Sequence, residues 1–254
     1  MIDQGTALAV GGFCVGVGQD VASRVLGLTA DHYGEMLKNW VLKGQENVGK
    51  IILKADKKLP KEKYQKGSVP SRVFKEIFSE GAFCEDEVVQ EYYAGVLASS
   101  KSEEEMDDRG VSVCKLISSL SNFQIRSHYL MYGIASVEYK EAYSTDRTSL
   151  MSIKIKRLCN YLGLQESEKS QAILEHVFFG LKKYDLIKPG PFISSEFRFE
   201  FATQYSYSPT PSGIELFLWA NGFGDKPVDY FFSKDFHPHE IDICFKDFVE
   251  GTSQ

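Results

Sequence analysis

The stretch "EDEVVQEYYAGVLASS" (residues 85–100) decides the fold. Acids open it, where the positive end of a helix favours negative charge. Val88, Val89, Tyr92, Tyr93, Val96 and Leu97 then recur at helical intervals and predict a broad apolar face. Such a face needs neighbours, and the flanking sequence supplies them. "SRVFKEIFSEG" (71–81) places Val73, Phe74, Ile77 and Phe78 on one side, with Gly81 as the stop. "KSEEEMDDRG" (101–110) reads as a loop and "VSVCKLISSL" (111–120) as a short helix. "SNFQIRSHYLMYGIASVEY" (121–139) reads as a further helix with Ser121 as N-cap. Four helices with short joins predict a bundle-like core over residues 67–145.

Upstream, residues 29–59 predict one long helix, with Thr29 as N-cap, Asp31 and Glu35 in its first turns, and Lys57 and Lys58 in its last. Gly34, Gly44 and Gly49 each weaken it by roughly 1 kcal/mol relative to alanine, so it leans on a neighbour. "PKEKYQKGSVP" (60–70) reads as a linker, which closes an N-terminal part over residues 1–66. At its head, "ALAVGGFCVGVGQD" (7–20) lacks the Lys-Ser or Lys-Thr of a phosphate loop and the spacing of a dinucleotide loop. It is also too short to span a membrane. Ala7 with Gly11, and Gly12 with Gly16, set small residues four apart, which allows close helix packing. Packing onto the 29–59 helix and membrane contact through residues 6–18 both stay open.

Beyond residue 145 the character changes. Residues 146–163 and 169–185 carry helical patterns joined by "GLQESE". In "PFISSEFRFEFATQYSYS" (191–208), Phe197, Phe199 and Phe201 alternate with polar residues, as do Tyr205 and Tyr207, a strand signal. "TPSGIELFLWANGFG" (210–224) returns to helix, with Pro211 at the first position and Gly222 or Gly224 as the stop. Residues 146–224 therefore predict a winged-helix-like part, followed by a tail (225–254) in which "IDICFK" is a strand or a packed extended segment. The expected class is mainly α: a helical bundle-like core with a C-terminal winged-helix-like α+β part carrying a short antiparallel hairpin.

A composition of 43% hydrophobic and 25% charged residues is that of a globular protein, and a net charge of -6 opposes general polyanion binding. Cys14, Cys84, Cys114, Cys159 and Cys244 are scattered, odd in number and without a C-x-x-C pair, so neither a zinc knuckle nor a disulfide framework is indicated. Reduced thiols and the lack of a basic signal-like start place the chain in the cytoplasm as an expectation. "HPHE" (237–240) offers two imidazoles and a carboxylate without a further ligand, and reads as a polar turn. His32, His128 and His176 are isolated, and "EEEMDD" (103–108) lacks ligand spacing. No catalytic, cofactor-binding or metal-ligating residue is expected, and the expected class is non-enzymatic.

As a recognition helix, "SEKSQAILEHVFFGLKKYDLIK" (167–188) would present Ser167, Glu168, Lys169, Ser170 and Gln171 to bases, a set without arginine. Lys154, Lys156, Arg157, Lys182 and Lys183 are basic, but Arg198 of the wing is offset by Glu196 and Glu200. Use in protein packing is favoured, with a DNA-binding regulator as the alternative. Charge is also segregated. Residues 36–75 hold eleven Lys or Arg against three acids, and residues 76–108 hold eleven acids against one lysine. The two fields can pair within the molecule or across a dimer. The candidate interaction surface is Lys43, Lys50, Lys54, Lys57 and Lys58 with Glu103, Glu104, Glu105, Asp107, Asp108 and Arg109. In "DRG" (108–110) the arginine is expected to pair with nearby acids before a helix start.

The segment "VPSRVFKEIFSEGAFCEDEVVQEYYAGVLASSKSEEEMDDRGVSVCKLISSLSNFQIR" (69–126) resembles the Abi-alpha family of bacterial abortive-infection proteins and its relatives. The shared pattern is a proline before a short helix, an acid-started helix ending in "GVLASS", an acidic loop, and a short helix ending in "LS". "GLKKYDLIK" (180–188) and "SPTPSGIELF" (208–217) look like that family's closing segment, whereas the chain before residue 67 has only a loose counterpart. The resemblance implies a role in defence against phage, by arresting or killing the infected cell. It carries over no catalytic residues.

Overall fold

A computed structural model describes residues 30–60, 67–103, 107–141, 150–165, 167–190 and 204–250. The expectations for the glycine-rich start, the Thr29 cap, Glu104, Glu105, Arg198 and the three alternating phenylalanines lie outside these residues. Two compact units divide between Glu46 and Asn47, so the joins expected at 66/67, 145/146 and 224/225 all fall inside the second. Helix α1 (Ala30–Lys58) starts in the first unit and ends in the second.

The second unit is built around α3 (Glu87–Ser99). Its start is fixed by Asp86, whose carboxylate accepts the backbone N–H groups of Val88 and Val89 at 2.9 and 3.2 Å. From Val88 to Ser99 every residue except Glu91 is buried. A helix enclosed all round must be central. Around it lie α2 (Ser71–Gly81), α4 (Gly110–Ser118), α5 (Asn122–Glu141) and α8 (Pro211–Ala220). At Gly95 the backbone of α8 comes so close that a Cβ would lie 2.0 Å from the Ala220 carbonyl oxygen.

Helix α2 has the expected bounds but a narrower buried face. Val73 and Ile77 are enclosed, whereas Phe74 and Phe78 are exposed, their ring centroids 6.2 Å apart. Four apolar positions span more arc than α3 and α4 cover. Helix α5 opens with a reciprocal box: the Gln124 N–H donates to Ser121 Oγ at 3.3 Å, and the Ser121 N–H to Gln124 Oε1 at 2.9 Å.

After α5 come β1 (Met151–Lys154), α6 (Ile155–Tyr161), α7 (Glu168–Lys183), β2 (Ile187–Pro189) and β3 (Gln204–Pro209). The strands pair antiparallel in the order β1-β3-β2, with Met151 opposite Tyr207 and Ile153 opposite Tyr205. The helix expected over 146–163 is corrected: its middle is a strand, because Met151 and Ile153 turn inward on alternate positions against β3. The succession α5-β1-α6-α7-β2-β3 is winged-helix order. Its first helix is α5, so that part begins inside the bundle rather than at residue 146. Tyr205 and Tyr207 are buried on one face of β3, and Phe178 of α7 stacks on Tyr205 with centroids 3.6 Å apart.

Helix α8 is capped by Thr210, begins on Pro211 as expected, and stops at Gly222, whose φ of +87° suits glycine. A 3-10 turn (Val228–Phe232) and α9 (Phe245–Glu250) follow. "IDICFK" forms no strand. Ile241 and Ile243 pack half-buried against the core as an extended tail, and Phe245 is fully buried at the start of α9. The described residues are thus mainly helical with one small antiparallel sheet.

Candidate functional site

The segregated charges meet inside the second unit. Lys54 and Lys58, one turn apart on α1, place their ammonium groups 2.8 Å from the two oxygens of Glu91 on α3. The Lys58 side chain is only 1% exposed. Burial lowers its pKa against the opposing pull of Glu91. Burial also pulls the Glu91 carboxyl upward, but Lys58 and Lys54 outweigh it and hold the group below its ordinary value. Arg72 pairs with Asp108 across the same two fields. Arg109 grips Asp107 through two contacts of 2.8 Å, which keeps that carboxyl low, and then α4 begins at Gly110. The "DRG" expectation matches this geometry.

Of the nominated surface, Lys54 and Lys58 therefore serve the fold. Lys43, Lys50, Lys57 and Glu103 are exposed, and Asp107 and Asp108 are half-buried.

The winged-helix face is assembled differently. Helix α7 buries Ser170, Leu174, Val177, Phe178 and Leu181. Ala172, His176, Phe179 and Lys183, spaced by four, three and four, form the opposite stripe. Phe179 is 57% exposed there. At the N-terminal end, Ser170 is buried and donates to the Gln165 carbonyl, and the Gln171 amide donates to Glu175 at 3.1 Å. Lys169 and Glu168 are the charges left facing outward at that end. Arg157 is drawn away, donating to the Phe248 carbonyl at 2.6 Å. Lys156, Lys182, Lys183 and Lys188 are exposed and Lys154 is half-buried.

Two groupings had no sequence signal as sites. The first is buried. His128 is fully enclosed, with Tyr92 Oη 2.6 Å from Nδ1 and the Gly213 carbonyl oxygen 3.1 Å from Nε2. Tyr132 stacks on its ring at 4.3 Å, donates to the Leu186 carbonyl at 2.5 Å and accepts the Thr210 N–H at 3.0 Å. The sequence shows His128 only as an isolated histidine beside "YLMY" (129–132); its burial and its partners on α3 and α8 come from the packing.

The second is a cleft of about 690 Å³ whose lining includes Val137 and Lys140 of α5, Phe245 and Lys246 of α9, and His237 and Glu240. "HPHE" thus contributes to a cleft wall. Its Glu240 Oε1 accepts the Phe245 N–H at 3.0 Å, and its His239 donates a backbone N–H to Asn221. Among the described residues no group of three or more His, Cys, Asp or Glu is placed to hold a metal ion.

Cys84 and Cys114 are buried thiols pushed up to about 12 by burial, which keeps them protonated and unreactive. Among the described residues no helix is long and apolar enough to cross a membrane. Comparisons with protein-family models, curated proteins and solved structures return no match for this chain.

Proposed function

We propose that this chain is a non-enzymatic bacterial defence protein of the abortive-infection kind, working in the cytoplasm through protein contacts. The observation that carries the protein-contact reading is Phe179, exposed on the outer stripe of α7. A helix that reads DNA presents cations and amides on that stripe. This one presents a phenylalanine between His176 and Lys183, behind an N-terminal end where Glu168 offsets Lys169. An aromatic anchor with a mixed-charge rim is the composition of a protein-docking surface. The defence part of the reading rests on the resemblance of residues 69–126 and of the closing segment.

Plaque counts on cells with and without the gene test the role, with Phe179→Asp as the matched variant. Reduced plating that F179D restores supports the proposal. Plating unchanged across a broad phage panel overturns it.

Winged-helix strand order and the exposed Lys156, Lys182, Lys183 and Lys188 favour a second reading, a DNA-binding regulator. A gel-shift series over salt decides it. Complexes that weaken steeply with salt support it, and no complex at low salt removes it.

A further inference from the structure

We infer that the cleft between α5 and the C-terminal tail binds a phosphate monoester, its dianion held by Lys140 and Lys246. Lysines from separate elements, 106 positions apart in the chain, line one cleft. Among the described residues Glu240 is the one carboxylate that lines it. That carboxylate is engaged by the Phe245 N–H, so it is turned to the start of α9. Among the described residues, neither an ion pair nor a hydrogen bond engages Lys246. Lys140 donates to the Phe236 carbonyl and lies over the Phe236 ring, which anchors the ammonium while leaving it two further N–H donors.

The two cations act on each other. Lys140 is lowered first by burial and then by the charge of Lys246. Two like charges facing an open cleft are unfavourable alone, and a shared anion relieves both.

The chemistry of the lining selects the ligand. Two ammonium groups from separate elements match the double charge of a phosphate monoester better than the single charge of a carboxylate, each acting as a compact point charge. His237 also lines the cleft, and Val137 and Phe245 supply apolar wall. The volume falls within the range of small-molecule sites. A monoester whose body is small and apolar or aromatic fits both halves of this surface.

The test is an NMR titration of the full chain with phenyl phosphate, with inorganic phosphate and phenol as parallel arms. Saturable shifts at the amides around Lys140, His237 and Lys246 are expected, strongest for phenyl phosphate. In K246Q, where the exposed side chain can change without cost to folding, affinity falls about tenfold, the contribution of one charge-assisted hydrogen bond. K140Q behaves alike, and K43Q binds as the unaltered chain does. The proposal is overturned if phenyl phosphate gives no saturable shift there, if phenol shifts the same amides equally, or if K246Q binds unchanged.

Discussion

The Tyr92 hydroxyl donates to Nδ1 of His128 across 2.6 Å, joining α3 to α5 in the core of the second unit. The Gly213 carbonyl can only accept, so Nε2 carries the proton and the ring is neutral. Burial lowers the imidazole from 6.5 to about 3, with the bond to Gly213 opposing. As pH falls through 6.5 the unfolded chain takes up a proton that the folded one refuses. The stability His128 contributes is therefore complete above pH 6.5 and drains away toward about 3, at up to about 1.4 kcal/mol per pH unit. Urea midpoints across that window should fall more steeply in the natural chain than in H128Q. Equal slopes would assign the acid sensitivity to other groups.

Gly95→Ala should lower stability by about 3 kcal/mol or more. Its new methyl would meet the Ala220 carbonyl, which is backbone and cannot swing aside. Thermal melting reads this directly. An alanine variant as stable as the glycine one would mean that α3 and α8 separate at little expense.

Glu91→Gln should cost about 3–5 kcal/mol, because it leaves the Lys58 ammonium enclosed without its counter-charge. Replacing both partners with methionine should cost less than the single change. A double-mutant cycle by denaturant unfolding measures the difference. Salt should affect the pair weakly, since solvent barely reaches Lys58.

Phe179→Asp should leave melting within about 0.5 kcal/mol of the unaltered chain, as an exposed side chain on a well-anchored helix allows. The same substitution should abolish whatever contact that ring makes. A variant that unfolds would show that Phe179 supports the core instead.

Most of the helices were readable because their signals are local. Asp86 and Ser121 cap the turns that follow them, and Pro211 starts α8 where proline is tolerated. What escaped depends on distant partners. "MSIK" (151–154) is a strand only because "QYSY" (204–207) lies beside it, and four residues are too few for period two to outweigh the helical pattern around them. Lys54 and Lys58 looked like a surface because a charge pattern shows no burial, and the single carboxylate between them lies 37 positions beyond Lys54. The lysines of the tail cleft carried no signal at all. Their shared cleft follows from α9 folding back onto α5.

Helix α5 completes the winged helix while also packing against α3 in the bundle. A fragment beginning at residue 146 would strip α7 of the helix beside it and open its leucines to water. The winged helix is consequently not a portable module: transplanted to another host it would arrive unfolded.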